Sequence, residues 1–70
     1  MKRYITVFIN GEPFNCNYLM SIKDLLLYLD FNLDIIIVEC NEEIISPSFY
    51  SNYFLNMNDN LEIVTIVGGG

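Results

Sequence analysis

The dipeptide Asn10-Gly11 sits between two short runs of strand-forming residues. Both residues tolerate a positive φ, which the tight two-residue turn between antiparallel strands requires, so the pair is a strong local hairpin signal. The run before it, Tyr4–Ile9, alternates, with Ile5, Val7 and Ile9 on one face and Tyr4, Thr6 and Phe8 on the other. The run after it, Glu12–Asn17, contains Pro13. Proline has no N–H for a ladder, so this returning strand belongs at a sheet edge.

A lone hairpin is not stable, so the remaining chain must cover its apolar face. Ser21 is a good N-cap, and Asp24 favours the positive end of a helix. Ile22, Leu25, Leu26 and Leu29 then fall at i, i+3, i+4 and i+7, one apolar stripe, and Asp30-Phe31-Asn32 ends the helix. Ile35–Cys40 is a nearly unbroken β-branched run, which predicts a strand covered on both faces or paired centrally. Asn41–Glu43 turns the chain and Glu43–Ile45 pairs briefly. Pro47–Asn56 reads as irregular, Asn58-Asp59-Asn60 as a second turn, and Leu61–Val67 as the last and most apolar strand. A helix with one apolar stripe lies on a sheet with one apolar face. The expectation is an α+β roll, one main helix on a four- or five-stranded mixed sheet. Its core is Ile5, Val7, Ile9, Ile22, Leu25, Leu26, Leu29, Ile36, Val38, Leu61 and Ile63.

The 70 residues fit one small domain, with residues 1–67 as the folded body and 68–70 as a flexible glycine tail. Three basic residues stand against nine acidic ones, a net charge of −6. Such a chain is repelled by phosphate backbones, so nucleic acid is not an expected partner and basic protein surfaces are. No apolar run approaches the roughly 18 residues of a membrane span, and Lys2-Arg3 before Tyr4–Ile9 does not make a signal peptide, since the run is short and there is no Ala for a cleavage site. The expected setting is cytoplasmic. The abundance of Ile, Asn, Leu, Tyr and Phe matches AT-rich coding, as in a reduced bacterium or an organelle.

Ordinary catalytic apparatus is missing from the sequence. There is no His, so neither Cys–His nor Ser–His chemistry can be assembled. The carboxylates Glu12, Asp24, Asp30, Asp34, Glu39, Glu42, Glu43, Asp59 and Glu62 are scattered and read as a solvated surface; Asn56–Asn60 lacks the spacing of a calcium loop. Cys16 and Cys40 form no CxxC; one disulfide is arithmetically open, and two reduced, half-buried thiols are the preferred reading. Phe8, Phe49, Tyr50, Tyr53 and Phe54 form either the lid of a small core or a docking patch. Gly68-Gly69-Gly70 is no phosphate loop, because neither a helix nor a Lys follows. Without Cβ atoms, such an end can enter a channel too narrow for other residues.

The stretch Glu62-Ile63-Val64-Thr65-Ile66-Val67-Gly68-Gly69-Gly70 resembles the C-terminus of the thiamine-biosynthesis sulfur carriers, the ThiS family. The likeness extends along the chain: Asn10-Gly11-Glu12 at the first turn; Ser21-Ile22, Leu25-Leu26 and Leu29 in the helix; Val38-Glu39 with Asn41, Glu43 and Ile44; and Leu55 and Asp59 before the last strand. Asn41-Glu42 departs from the family's Asn-Gly, and Asn58-Asp59-Asn60 from its Asp-Gly-Asp. The resemblance implies a ubiquitin-like β-grasp fold and a protein cosubstrate rather than an enzyme. It makes Gly70 the reactive residue, adenylated and then thiocarboxylated at its carboxylate, with Gly69 needed beside it. It implies no cofactor bound by the chain itself; ATP is used by an E1-like adenylyltransferase. A persulfide supplies the sulfur and thiazole synthase receives it, in the plastid stroma if the gene is organellar. The small subunit of molybdopterin synthase, a conjugated modifier and a passive ubiquitin-like interaction module stand as alternatives. Against the first, Ile66-Val67 occupies the place where prolines are expected.

Overall fold

The computed structural model describes residues 3–66, and the elements follow the local signals closely. Strands β1 (Tyr4–Ile9) and β2 (Glu12–Asn17) form the expected hairpin, closed with Ile9 opposite Glu12. Asn10 and Gly11 take φ of 52° and 85° between them. Helix α1 (Ile22–Tyr28) starts on a capping box: the Asp24 N–H donates to Ser21 Oγ at 3.1 Å, and the Ser21 N–H donates back to the Asp24 carboxylate at 3.2 Å. It stops on a Schellman motif. Asp30 turns left-handed (φ 65°), its N–H meets the Leu27 carbonyl at 3.1 Å, and the Phe31 N–H reaches back to Leu26 at 2.9 Å. Strands β3 (Ile36–Cys40), β4 (Glu43–Ile45) and β5 (Asn60–Thr65) complete a five-stranded sheet in the order β2-β1-β5-β3-β4. Pro13 therefore stands on an edge strand, as its missing N–H requires. The pair β1–β5 is parallel and the other pairs are antiparallel, so the sheet is mixed.

Three expectations need correction. Ile35 belongs to a short 3-10 turn (Leu33–Ile35) rather than to the strand. Of the two readings of that run, central pairing holds: the strand from Ile36 is paired on both edges and covered on one face only, with Val38 fully buried and Ile37 41% exposed. Within the supposedly irregular segment, Pro47–Asn52 winds into a 3-10 helix, with Pro47 in its first turn where no N–H is needed. Finally, β5 ends at Thr65; Val67 lies outside the described residues.

The core lies between α1 and one face of the sheet. Val7, Ile22, Leu25, Leu26, Ile36, Val38, Leu61 and Ile63 are buried as expected. Ile5, Ile9 and Leu29 are only half-buried, because they sit near the ends of β1 and at the helix C-cap, where the short helix leaves the sheet partly uncovered. Their place is taken by Cys16, Cys40, Ile45, Tyr50 and Leu55. The last two come from the segment between β4 and β5, which seals the helix against the sheet. The Ile22 N–H donates to the Tyr53 carbonyl and the Leu55 N–H to the Met20 carbonyl, at 2.8 and 2.9 Å.

Candidate functional site

Gly69 and Gly70, the residues singled out for chemistry, lie outside the described residues, as does the boundary between body and tail. What the structure does describe is the strand that leads to them. β5 occupies the centre of the sheet, and two asparagines grip it from opposite sides. On the β1 side, parallel pairing covers only Phe8 with Asn60 and Ile9 with Leu61. Asn10 extends that hold: its backbone N–H donates to the Leu61 carbonyl at 2.8 Å, its Oδ1 accepts the Ile63 N–H at 2.8 Å, and its Nδ2 donates to the Ile63 carbonyl at 3.2 Å. On the β3 side, the Asn41 N–H donates to the Asn60 carbonyl at 2.8 Å, and Asn41 Oδ1 accepts the Asn60 N–H at 3.0 Å. Asn41 Nδ2 donates to Asp59 Oδ1 at 3.0 Å. The second oxygen of the buried Asp59 carboxylate accepts the Asn56 N–H at 2.8 Å. The two turns thus fix the beginning and middle of β5. Beyond Ile63 the strand continues against β3, and the Ile66 N–H donates to the Ile35 carbonyl at 2.6 Å.

These contacts also dispose of the calcium reading of Asn56–Asn60, since the Asp59 oxygens are engaged by protein N–H groups. No group of metal-ligating side chains occurs among the described residues. Both cysteines are free, so no disulfide forms, and they are buried rather than half-buried, because both join the core cluster. Burial pushes the Cys16 thiol above its ordinary range, and the Asp59 charge adds to it. Burial raises Cys40 too; a Tyr53 hydrogen bond offsets part of that, while Asp59 and Glu43 add to it. Protonated, enclosed thiols are poor nucleophiles, which fits a packing role. The hydrogen bond to Cys40, then burial, then the neighbouring negative charges push the Tyr53 phenol up to about 12.

The aromatic patch does not form as a unit. Tyr50 is buried and Tyr53 partly so, making core lid, whereas Phe49 and Phe54 stand exposed. The larger apolar surface lies elsewhere, on the sheet face away from the helix, where Ile37, Ile44 and Val64 are exposed beside Glu39 and Glu62. The β-branched run Ile35–Cys40 leaves two readings open, cover on both faces or central pairing, and only the position of the helix decides that its outer face stays bare. Sequence reading passed over the grips of Asn10 and Asn41. An Asx residue at a turn is legible locally, but a side-chain bond to a strand some fifty residues away is not.

Comparison with known proteins bears on the chain as a whole. A family model described as the ThiS family matches residues 7–70. A Pyropia yezoensis protein named only as uncharacterized protein ycf40 is 47% identical over 66 residues, spanning 94% of this chain and 93% of that one. Its namesake in Porphyra purpurea is 43% identical over 70 residues, covering 100% of this chain and 99% of the other. A thiazole synthase of Magnetococcus marinus is 33% identical over 64 residues, 91% of this chain but 20% of that protein. Among solved structures, the crystal structure of the thiamine biosynthesis protein ThiS from Geobacter metallireducens superposes with a TM-score of 0.81 at 22% identity, over 94% of this chain and 100% of that one. The fold is therefore the ubiquitin-like β-grasp.

Proposed function

The chain belongs to the ThiS family, and from that membership we propose that it is the sulfur carrier of thiazole formation in thiamine biosynthesis, with the Gly70 carboxylate as its reactive group. The observation that carries the reading is that the family match runs through residue 70, the glycine triplet included. At neutral pH a terminal carboxylate, with a reference pKa of about 3.3–3.7, is ionised and inert toward nucleophiles. An E1-like adenylyltransferase joins it to the AMP moiety of ATP and releases pyrophosphate. The outer sulfur of a persulfide attacks the acyl carbon and AMP leaves. A thiol then cleaves the S–S bond, and a thiocarboxylate remains on Gly70. That group is a strong nucleophile and passes its sulfur to thiazole synthase. Gly69 keeps the approach narrow. The chain holds no cofactor and is a cosubstrate; ATP and catalytic groups belong to the partners.

Two observations support the identity of the acceptor and the compartment. Segments similar to this chain make up about a fifth of the Magnetococcus marinus and Paramagnetospirillum magneticum proteins named thiazole synthase, so carrier-like and synthase sequences travel together in one polypeptide. The ycf40 relatives come from plastid genomes, which favours an organelle-encoded protein of the plastid stroma. A net charge of −6 steers the chain toward basic partner surfaces, a rate effect that salt weakens.

The test is intact mass after incubation with the activating enzyme of the same organism, ATP and a persulfide donor. The expected result is a gain equal to exchange of one oxygen for sulfur, abolished when one residue is appended after Gly70 while the melting temperature stays put. An unchanged mass overturns the reading, and a ladder of high-mass adducts makes the chain a modifier instead. Thiamine dependence on gene deletion, as opposed to loss of molybdoenzymes, separates it from the small subunit of molybdopterin synthase.

A further inference from the structure

Strand β1 cannot follow β5 to its end, because the chain reverses at Gly11. The last main-chain bond between the two strands is that from the Asn10 N–H to Leu61. One step further along β5, the Asn10 carboxamide takes the place of a peptide group, accepting from the Ile63 N–H and donating to the Ile63 carbonyl. A single side chain thereby supplies both bonds that an additional β1 residue would have made. After Ile63 the described part of β5 is held by β3, through Val64 opposite Ile37, Thr65 opposite Ile36, and the Ile66 N–H to Ile35. Asn10 thus marks the point where β5 changes from a strand held on both edges to one held on a single edge, shortly before the glycine triplet.

We infer that Asn10 is a positioning residue for the carrier's reactive end: its side chain carries two-sided support of β5 as far as Ile63, and so fixes the line along which the strand leads toward that end. This rests on the carrier reading above. A strand that samples several lines enters a partner's channel only in the fraction of chains that hold the right one, and the apparent affinity falls by that fraction while the chemistry of a seated end does not change. Gly11 has nothing within 4 Å of where a Cβ would lie, so the turn itself does not crowd the grip.

The discriminating variant is Asn10→Gly, which keeps a residue content suited to positive φ and removes only the side chain. Asn10→Asp keeps the acceptor for the Ile63 N–H and loses the donor. Amide hydrogen exchange and thiocarboxylate formation are measured on the full chain, the latter with the activating enzyme, ATP and a persulfide donor. In Asn10→Gly the Ile63 amide exchanges about tenfold faster, and the KM for the chain rises about tenfold with kcat within about twofold. Asn10→Asp falls between this variant and wild type on both measures. Glu42→Gly, which alters the other turn and leaves the Asn10 grip intact, leaves KM unchanged and does not speed Ile63 exchange. Unchanged Ile63 exchange overturns the grip. Faster exchange with unchanged KM overturns the positioning role and leaves Asn10 a structural residue. A wild-type chain that gains no sulfur overturns the carrier reading and the positioning role together, and the exchange data, which need no partner, tell that failure from the other two.

Discussion

The turns at Asn10-Gly11 and Asn41-Glu42 solve one problem with different second residues. Both begin with an asparagine at φ 52°, and both use that residue's N–H and carboxamide to hold β5, one on the parallel side and one on the antiparallel side. They differ at the next position, where Gly11 sits at φ 85° and Glu42 at φ 71°. Left-handed backbone is free for glycine and costs about 1–2 kcal/mol for a residue with a Cβ. In the Asn41 turn the left-handed second position falls on a glutamate, which carries that cost. The difference teaches that the first position holds β5 and the second carries only geometry.

The comparison can be broken at its strongest point. The buried Asp59 carboxylate accepts one hydrogen bond from the Asn41 side chain and one from the Asn56 N–H, so Asp59→Ala should cost about 3 kcal/mol, read as a lower urea midpoint with unchanged slope. Next come the asparagines. Asn41→Gly should cost about 2 kcal/mol because it strips one partner from the Asp59 carboxylate, and Asn10→Gly about 1 kcal/mol because the groups it frees on Ile63 are uncharged. Equal losses in a double-mutant series would show that the grips, and not Asp59, set the scale. Glu42→Gly should stabilise by about 1 kcal/mol, raising the melting temperature by about 4–8 °C, and Gly11→Glu should undo as much. A further effect appears only in alkali. The raised Tyr53 phenol holds in the folded chain a proton that the unfolded chain loses near pH 10, so its contribution is full below about 10 and declines as pH rises toward about 12. Cys40, also raised, begins the same decline earlier, and Tyr53→Phe should flatten the upper part of the curve.

Much of the fold was legible because its signals are local. The hairpin dipeptide, the Ser21–Asp24 cap and the stripe Ile22, Leu25, Leu26 each act within a few residues, and each appears where the sequence put it. What escaped depended on distant partners. Tyr50 and Leu55 are buried because α1 needs sealing from the side, which no period within Pro47–Asn56 discloses. Cys16 is buried although its strand is at the edge, and only the placement of the helix decides that. At the candidate site, Gly69 and Gly70 were found through likeness to a family, whereas Asn10 was read as a turn former and its second task, on Ile63, came only with the coordinates.

The edge strands carry a consequence for solubility. More than half of this chain is hydrophobic, and a sheet with an open border invites pairing with its own copies. In a two-residue hairpin Ile9 and Glu12 form the bonded pair, so Pro13, one step on opposite Phe8, turns its nitrogen outward and interrupts the row of donors along that border. The opposite border, β4, is three residues long, too brief to template a growing stack. Both rims are blunted, and this favours dispersal of the chains over fibre growth at high concentration.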